Sequence, residues 1–130
     1  MENGIISVAS AYSFDETVEK IEALLHEKGI KLFVIVDHSG EAASVGLRMP
    51  ATKLLIFGNP KAGTPVMLSA PSAALDLPLK ILVAEDGDGA TWLSWNDPEF
   101  LQKRHGFAVE LKANLVAAAA LVSNLVRAKP

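Results

Sequence analysis

LLIFGNPKAGTPVMLSAPSAALDLPLKILV, Leu54 to Val83, decides how this chain folds. A hydrophobic strand runs into Gly58-Asn59-Pro60, then Gly63-Thr64-Pro65, a small-residue segment, Asp76-Leu77-Pro78, and a second hydrophobic strand. Gly58 and Gly63 have the glycine spacing of a phosphate-binding loop. Such a loop needs Lys after the second glycine, to reach the phosphates, and then Ser or Thr, to hold Mg²⁺. Thr64 and Pro65 stand there instead. Pro60 and Pro65 also remove two backbone donors from the segment that would cradle the phosphate. The corner therefore reads as a strand stop at Gly58, a capping Asn59, and Pro60 at the first helical position. Leu54 to Phe57 and Leu79 to Ala84 are the flanking strands. Pro60 to Ala74 is expected to hold one or two short helices, interrupted by Pro65 and Pro71.

Upstream, Ile5 to Ala9 reads as a short opening strand. Ser13 and Glu16 have the spacing of a capping box. Phe14, Val18, Ile21 and Leu25 follow on one helical face, and Gly29 sits where a left-handed cap is expected. Lys31 to His38 is an apolar run without alternation, which predicts a central strand covered on both faces. A connector follows, with one helical turn at Glu41 to Ser44. Downstream, Asp-Gly-rich residues 85–90 read as a hairpin turn before a return strand, Thr91 to Trp95. Trp92 and Trp95 fall on opposite faces of that strand, one in the core and one available for contact. Asp97-Pro98 opens a helix that Gly106 ends. Leu111, Leu115, Ala118, Val122 and Leu125 then make the stripe of a final helix, Ala108 to Arg127, about 30 Å long. Strands in the middle with helices outside predict one α+β domain over residues 1–130, a mostly antiparallel sheet with helices on one face.

The 130 residues are 50% hydrophobic and 21% charged, the balance of one globular core. Net charge is −3 and the basic residues are scattered, so no stripe exists to release counterions from nucleic acid. The absence of cysteine excludes disulfides, thiolate metal sites and cysteine nucleophiles, and fits a reducing compartment. Glu2 and the lack of a long apolar run argue against a signal peptide. The run Leu115 to Val122 is far short of the roughly 20 residues of a membrane span. A cytoplasmic protein is expected.

LLIFGNPKAGTPVM together with ALDLPLKILVAED resembles the bacterial and archaeal domain of unknown function 302 family. VIVDHSGEAASVGLRMP and SWNDPEFLQKRHG match the same pattern, in the same order, over nearly the whole chain. The matching positions are Asp37-His38, Gly58-Asn59-Pro60, Gly63-Thr64, Asp76-Leu77-Pro78, Glu85-Asp86 and Arg104-His105. Trp95 departs from the family's tyrosine, which removes any phenol hydroxyl there. The resemblance implies a β-α-β₄-α type fold, often paired into dimers, and no established activity.

Asp37, His38, Asn59, Asp76 and His105 are the candidate ligand-binding residues, since each lies at an element end, where binding groups concentrate. Asp37 and His38 point to opposite faces while the strand stays regular. The bland reading has each residue capping its own turn. Two pairing schemes stay open. Antiparallel strands would gather Asn59, Asp76 and Asn96 at one rim, with His105 near, and Asp37, His38 and Glu85 at the other. A parallel pairing of the second and third strands would instead join Asp37, His38 and Asn59 in one crevice. His26 reads as a surface residue, and no histidine pair has zinc-motif spacing, so no metal is expected. Residues 85–89 lack the later acids of a calcium loop. No G-x-S-x-G elbow surrounds Ser69, Ser72 or Ser94. No cofactor is called for.

These observations favour a non-catalytic homodimer that binds a small ligand or partner. Its contact surface would draw on Ala117 to Ala120 and one tryptophan. The alternatives are an enzyme using His38 or His105 as acid/base with Asp37 or Asp76, and a purely structural interaction module.

Overall fold

The computed structural model describes residues 3–126. Five strands, β1 (Ile5–Ala9), β2 (Lys31–Asp37), β3 (Thr52–Gly58), β4 (Leu79–Glu85) and β5 (Thr91–Asn96), form one sheet in the order β1-β5-β4-β3-β2. Every pairing is antiparallel. The helices are α1 (Phe14–Glu27), α2 (His38–Ser44), α3 (Pro60–Ser69), α4 (Pro98–His105) and α5 (Ala117–Val122). Two 3₁₀ segments, Pro71–Leu75 and Val109–Leu115, complete the chain. This is a single α+β domain with its helices packed against an antiparallel sheet.

Local signals place the helices. Ser13 Oγ accepts the Glu16 amide at 3.2 Å, and Gly29 turns left-handed just after α1. Phe14, Val18, Ile21 and Leu25 are buried against Leu55, Phe57, Ile81, Val83 and Leu93 of the sheet. Ala118, Leu121 and Val122 of α5 join the same core. A second cluster, Val66, Ala70, Ala73, Leu101, Phe107 and Leu115, holds α3, α4 and the 3₁₀ segments together. It touches the sheet through Leu79, the first residue of β4.

Three expectations need correction. β2 is an edge strand, not a central one. Its apolar run serves three surroundings in turn. Leu32 and Ile35 pack on the main core, while Phe33 is pushed out by a bulge between Leu32 and Val34. Val34 and Val36 lie on the opposite sheet face, paired with Ile56 and Leu54. The final helix is broken at Val116 into a 3₁₀ segment and α5, and Arg127 lies outside the described residues. Leu115 feeds the second cluster and Ala118, Leu121 and Leu125 the first, which one straight helix does not reach. Pro65 does not interrupt α3, which runs through it to Ser69. The carbonyl that loses its partner there belongs to exposed Lys61, so the break is left to Pro71. The turn foreseen at Glu41 to Ser44 is the second half of α2, which Asp37 caps.

Core-facing residues alternate with Val34, Val36, Leu54, Ile56, Leu82 and Trp92 on the far side of the sheet. That side is only half-buried or exposed. Trp92 is 39% exposed and Trp95 9%, the division the strand's period of two predicts.

Candidate functional site

Two features lie around the corner after β3. The first is a cavity of about 320 Å³. Gly58, Asn59 and Pro60 form one side, with Gly63, Thr64 and Met67 of α3 above them. Leu77, Pro78, Leu79, Asn114, Leu115 and Ala117 complete the lining. Phe33, displaced by the β2 bulge, reaches the same space. The walls are overwhelmingly apolar, and none of these residues is ionisable.

Asn59 organises the turn that borders the cavity. Its side-chain oxygen accepts the Lys61 amide at 2.9 Å, and its carbonyl accepts the Ala62 and Gly63 amides, each at 2.9 Å. The first donors of α3 are thus consumed within the turn. Pro60 has none to offer. That leaves no nest of free N–H groups for a phosphate, and the glycine spacing has another cause. Asn114 Nδ2 donates to the Ala62 carbonyl at 3.0 Å, tying two lining residues together.

The second feature is a chain of polar side chains next in sequence to the lining residue Leu77. Asp76 directly precedes Leu77. Its Oδ2 lies 2.5 Å from His105 Nε2 and 3.1 Å from Arg104 Nη1. Ser72 Oγ lies 2.8 Å from His105 Nδ1. The carboxylate requires a proton on Nε2, so in neutral His105 the Nδ1 atom accepts from the Ser72 hydroxyl. The His105 side chain is 3% exposed and that of Asp76 19%, whereas Arg104 is 52% exposed and adds little. This chain ties the last turn of α4 to the Pro71–Leu75 segment. Lys80 reinforces it, donating to the carbonyls of Asp76 at 3.1 Å and Pro78 at 2.7 Å. Burial holds the Lys80 amine below its ordinary pKa, opposed by the Asp76 charge.

The antiparallel pairing decides between the two schemes drawn from the sequence. Lys31 pairs with Gly58 and Asp37 with Lys53, so Asp37 and Asn59 stand at opposite ends of the sheet. The crevice joining Asp37, His38 and Asn59 does not form. At the Asn59 end, Asp76 and His105 meet in contact, but neither lines the cavity that Asn59 borders. Asn96 ends β5 at this same end of the sheet, where it pairs with Ile5 of β1. At the far end Asp37 caps α2, accepting from the Gly40 amide and the Ser39 hydroxyl, each at 2.9 Å. Those bonds, the amide first, lower its pKa. His38 is exposed on the first turn of α2.

Neither Ser72 nor Asn114 stands out in the sequence as a site residue. Ser72 reaches its partner across 33 residues, and Asn114 reaches Ala62 across 52. Neither belongs to a local motif. Among the described residues no cluster of three or more His, Cys, Asp or Glu could hold a metal, and no helix is long and apolar enough to cross a membrane.

Residues 6–122 match the family model described as "Domain of unknown function DUF302". The chain belongs to the DUF302 family. It is 40% identical over 109 residues to the protein named fluoride-specific ion channel FluC 1 of Brucella suis biovar 1, covering 84% of this chain and 43% of that protein. The protein named fluoride-specific ion channel FluC 2 of Brucella melitensis biotype 1 is also 40% identical, with 40% of its length covered. The chain thus spans about two fifths of the curated relatives it matches. An uncharacterized conserved DUF302 protein from Bacillus stearothermophilus, known from a crystal structure, superposes with a TM-score of 0.80 at 20% identity. That match covers 94% of this chain and 98% of the other, and it shows a shared fold.

Proposed function

We propose that this DUF302 chain is a non-catalytic, homodimeric cytosolic module that binds a small ligand in the cavity beside Asn59. The carrying observation is the cavity itself, about 320 Å³ with apolar walls and three neutral polar residues, Asn59, Thr64 and Asn114. Small-molecule sites have this size and this character, mostly apolar with a few convergent polar groups. Titrating ¹⁵N-labelled protein with a panel of small neutral fragments tests the reading. Amide shifts centred on Asn59, Gly63, Thr64 and Asn114 are expected, and a panel that moves none of them overturns it.

The uncovered sheet face supports pairing with a second copy. Val34, Ile56, Leu54, Leu82 and Trp92 form an apolar patch there, and contiguous exposed apolar surface marks contact sites. A twofold dimer would bury this patch against itself. The relatives named as fluoride channels suggest that the module also serves as part of a membrane protein. No cation lines the cavity, so fluoride itself is a poor match for it.

The Ser72-His105-Asp76 chain favours one second reading, an acyl-transfer enzyme with Ser72 as nucleophile, His105 as base and Asp76 as orienter. The roles match a serine triad with the two ring nitrogens exchanged. Against it, the cavity beside Asn59 does not open at Ser72. Incubation with a fluorophosphonate decides. Labelling of Ser72 that His105→Gln abolishes would establish this reading, and an unmodified intact mass would remove it.

A further inference from the structure

Gly63 lies inside α3, four positions past the Asn59 cap, with no positive φ to require glycine. A glycine in a helix interior weakens the helix relative to alanine. Steric need does not explain it either. A Cβ built on Gly63 meets a single atom within 4 Å, Leu77 Cδ1 at 4.0 Å, an ordinary contact. Both residues line the cavity, so a side chain at this position would project into the void. Gly58 is similar: its Cβ would meet Pro78 at 3.5 Å and Phe33 at 3.8 Å, again cavity walls. The two glycines that imitate a phosphate loop in the sequence are instead positions where backbone faces the cavity.

Resting on the ligand-binding reading above, we propose that Gly63 keeps the cavity open and that its ligand is uncharged, with an apolar body and one hydrogen-bonding head. The class follows from the walls. No lining residue is ionisable, and burying an ion without a partner is strongly unfavourable. The Lys61, Ala62 and Gly63 amides are already bonded within the turn, so the start of α3 has no donors left for an anion. What remains is neutral: the Asn59 amide group, the Asn114 side-chain oxygen and the Thr64 hydroxyl. These suit a carbonyl, amide or hydroxyl. The absent side chain costs helix stability and leaves room, the pattern of a position kept for binding.

The test uses two dyes of nearly one shape: N-phenyl-1-naphthylamine, which is neutral, and 1-anilinonaphthalene-8-sulfonate, which is anionic. The neutral dye is expected to bind the native chain with a rise in fluorescence that the sulfonate does not compete away. Gly63→Leu should weaken that binding by at least about tenfold, since even one methylene discriminates on that scale in an apolar pocket. Gly63→Ala should weaken it less while raising the thermal midpoint. It keeps the test valid if the leucine variant fails to fold. Undiminished binding in folded Gly63→Leu, or in Gly63→Ala alone if only that folds, overturns the role of Gly63 and leaves the ligand-binding reading standing. Competition by the sulfonate at equal concentration overturns the uncharged class. Failure of both dyes on the native chain overturns this inference; if the fragments also fail to move the cavity amides, the ligand-binding reading falls with it.

Discussion

His105 Nε2 and Asp76 Oδ2 stand 2.5 Å apart, so the last turn of α4 is pinned to the residue that precedes the cavity wall. Removing Asp76 would leave a nearly buried imidazole N–H without its partner, a loss of about 1–3 kcal/mol. Asp76→Ala and His105→Ala are each expected to lower stability on that scale, with a double variant well short of their sum. Urea denaturation of the four proteins measures this. Strict additivity would mean the pair contributes no coupling.

Asn59→Ala should destabilise the fold by about 1 kcal/mol, because the side-chain oxygen that caps α3 is lost. An unchanged denaturation midpoint accompanied by altered fragment binding would move Asn59 from a capping role to a ligand-binding one.

Acid should loosen the β4–β5 turn at a lower pH than an ordinary aspartate would predict. The Asp86 carboxylate accepts from Trp92 Nε1 at 2.8 Å and from the Ala90 and Asp88 amides at 3.0 and 2.9 Å. The indole bond is the chief cause of its lowered pKa. A lowered folded pKa gives stability that is complete above the unfolded value of about 3.9 and lost as pH falls through the folded value. Trp92 emission should therefore change below the ordinary carboxylate range, and Asp86→Asn should remove that change. A transition at the ordinary value would contradict the bonding.

Sedimentation equilibrium should show a dimer at tens of micromolar, and Trp92→Glu on the open sheet face should shift it toward monomer. A native chain that sediments as a monomer at that concentration removes the pairing proposed for the Val34, Leu54 and Leu82 face.

Features set by short-range chemistry were legible in the sequence. Ser13, Asn59 and Asp97 cap the helices they were expected to cap, because a cap depends on two or three neighbouring residues. The division between Trp92 and Trp95 followed from strand period alone. Environment was less legible. The apolar run of β2 reads the same whether a neighbouring strand, a cavity or open sheet lies beside it, so its edge position was hidden. The stripe from Leu111 to Leu125 carried no mark of the break at Val116, which arises from two separate core clusters. One of the two pairing schemes left open by the sequence placed Asp76 near His105 at one rim, and in the antiparallel sheet they meet. Ser72 and Asn114 joined the site only through long-range contacts.

The most direct measurement of the binding reading is a native mass spectrum of the protein purified gently from its own cells, beside Gly63→Leu prepared the same way. The native chain should carry a small additional mass that is released on denaturation, and the variant should lack it. Bare polypeptide mass in both preparations would contradict the account.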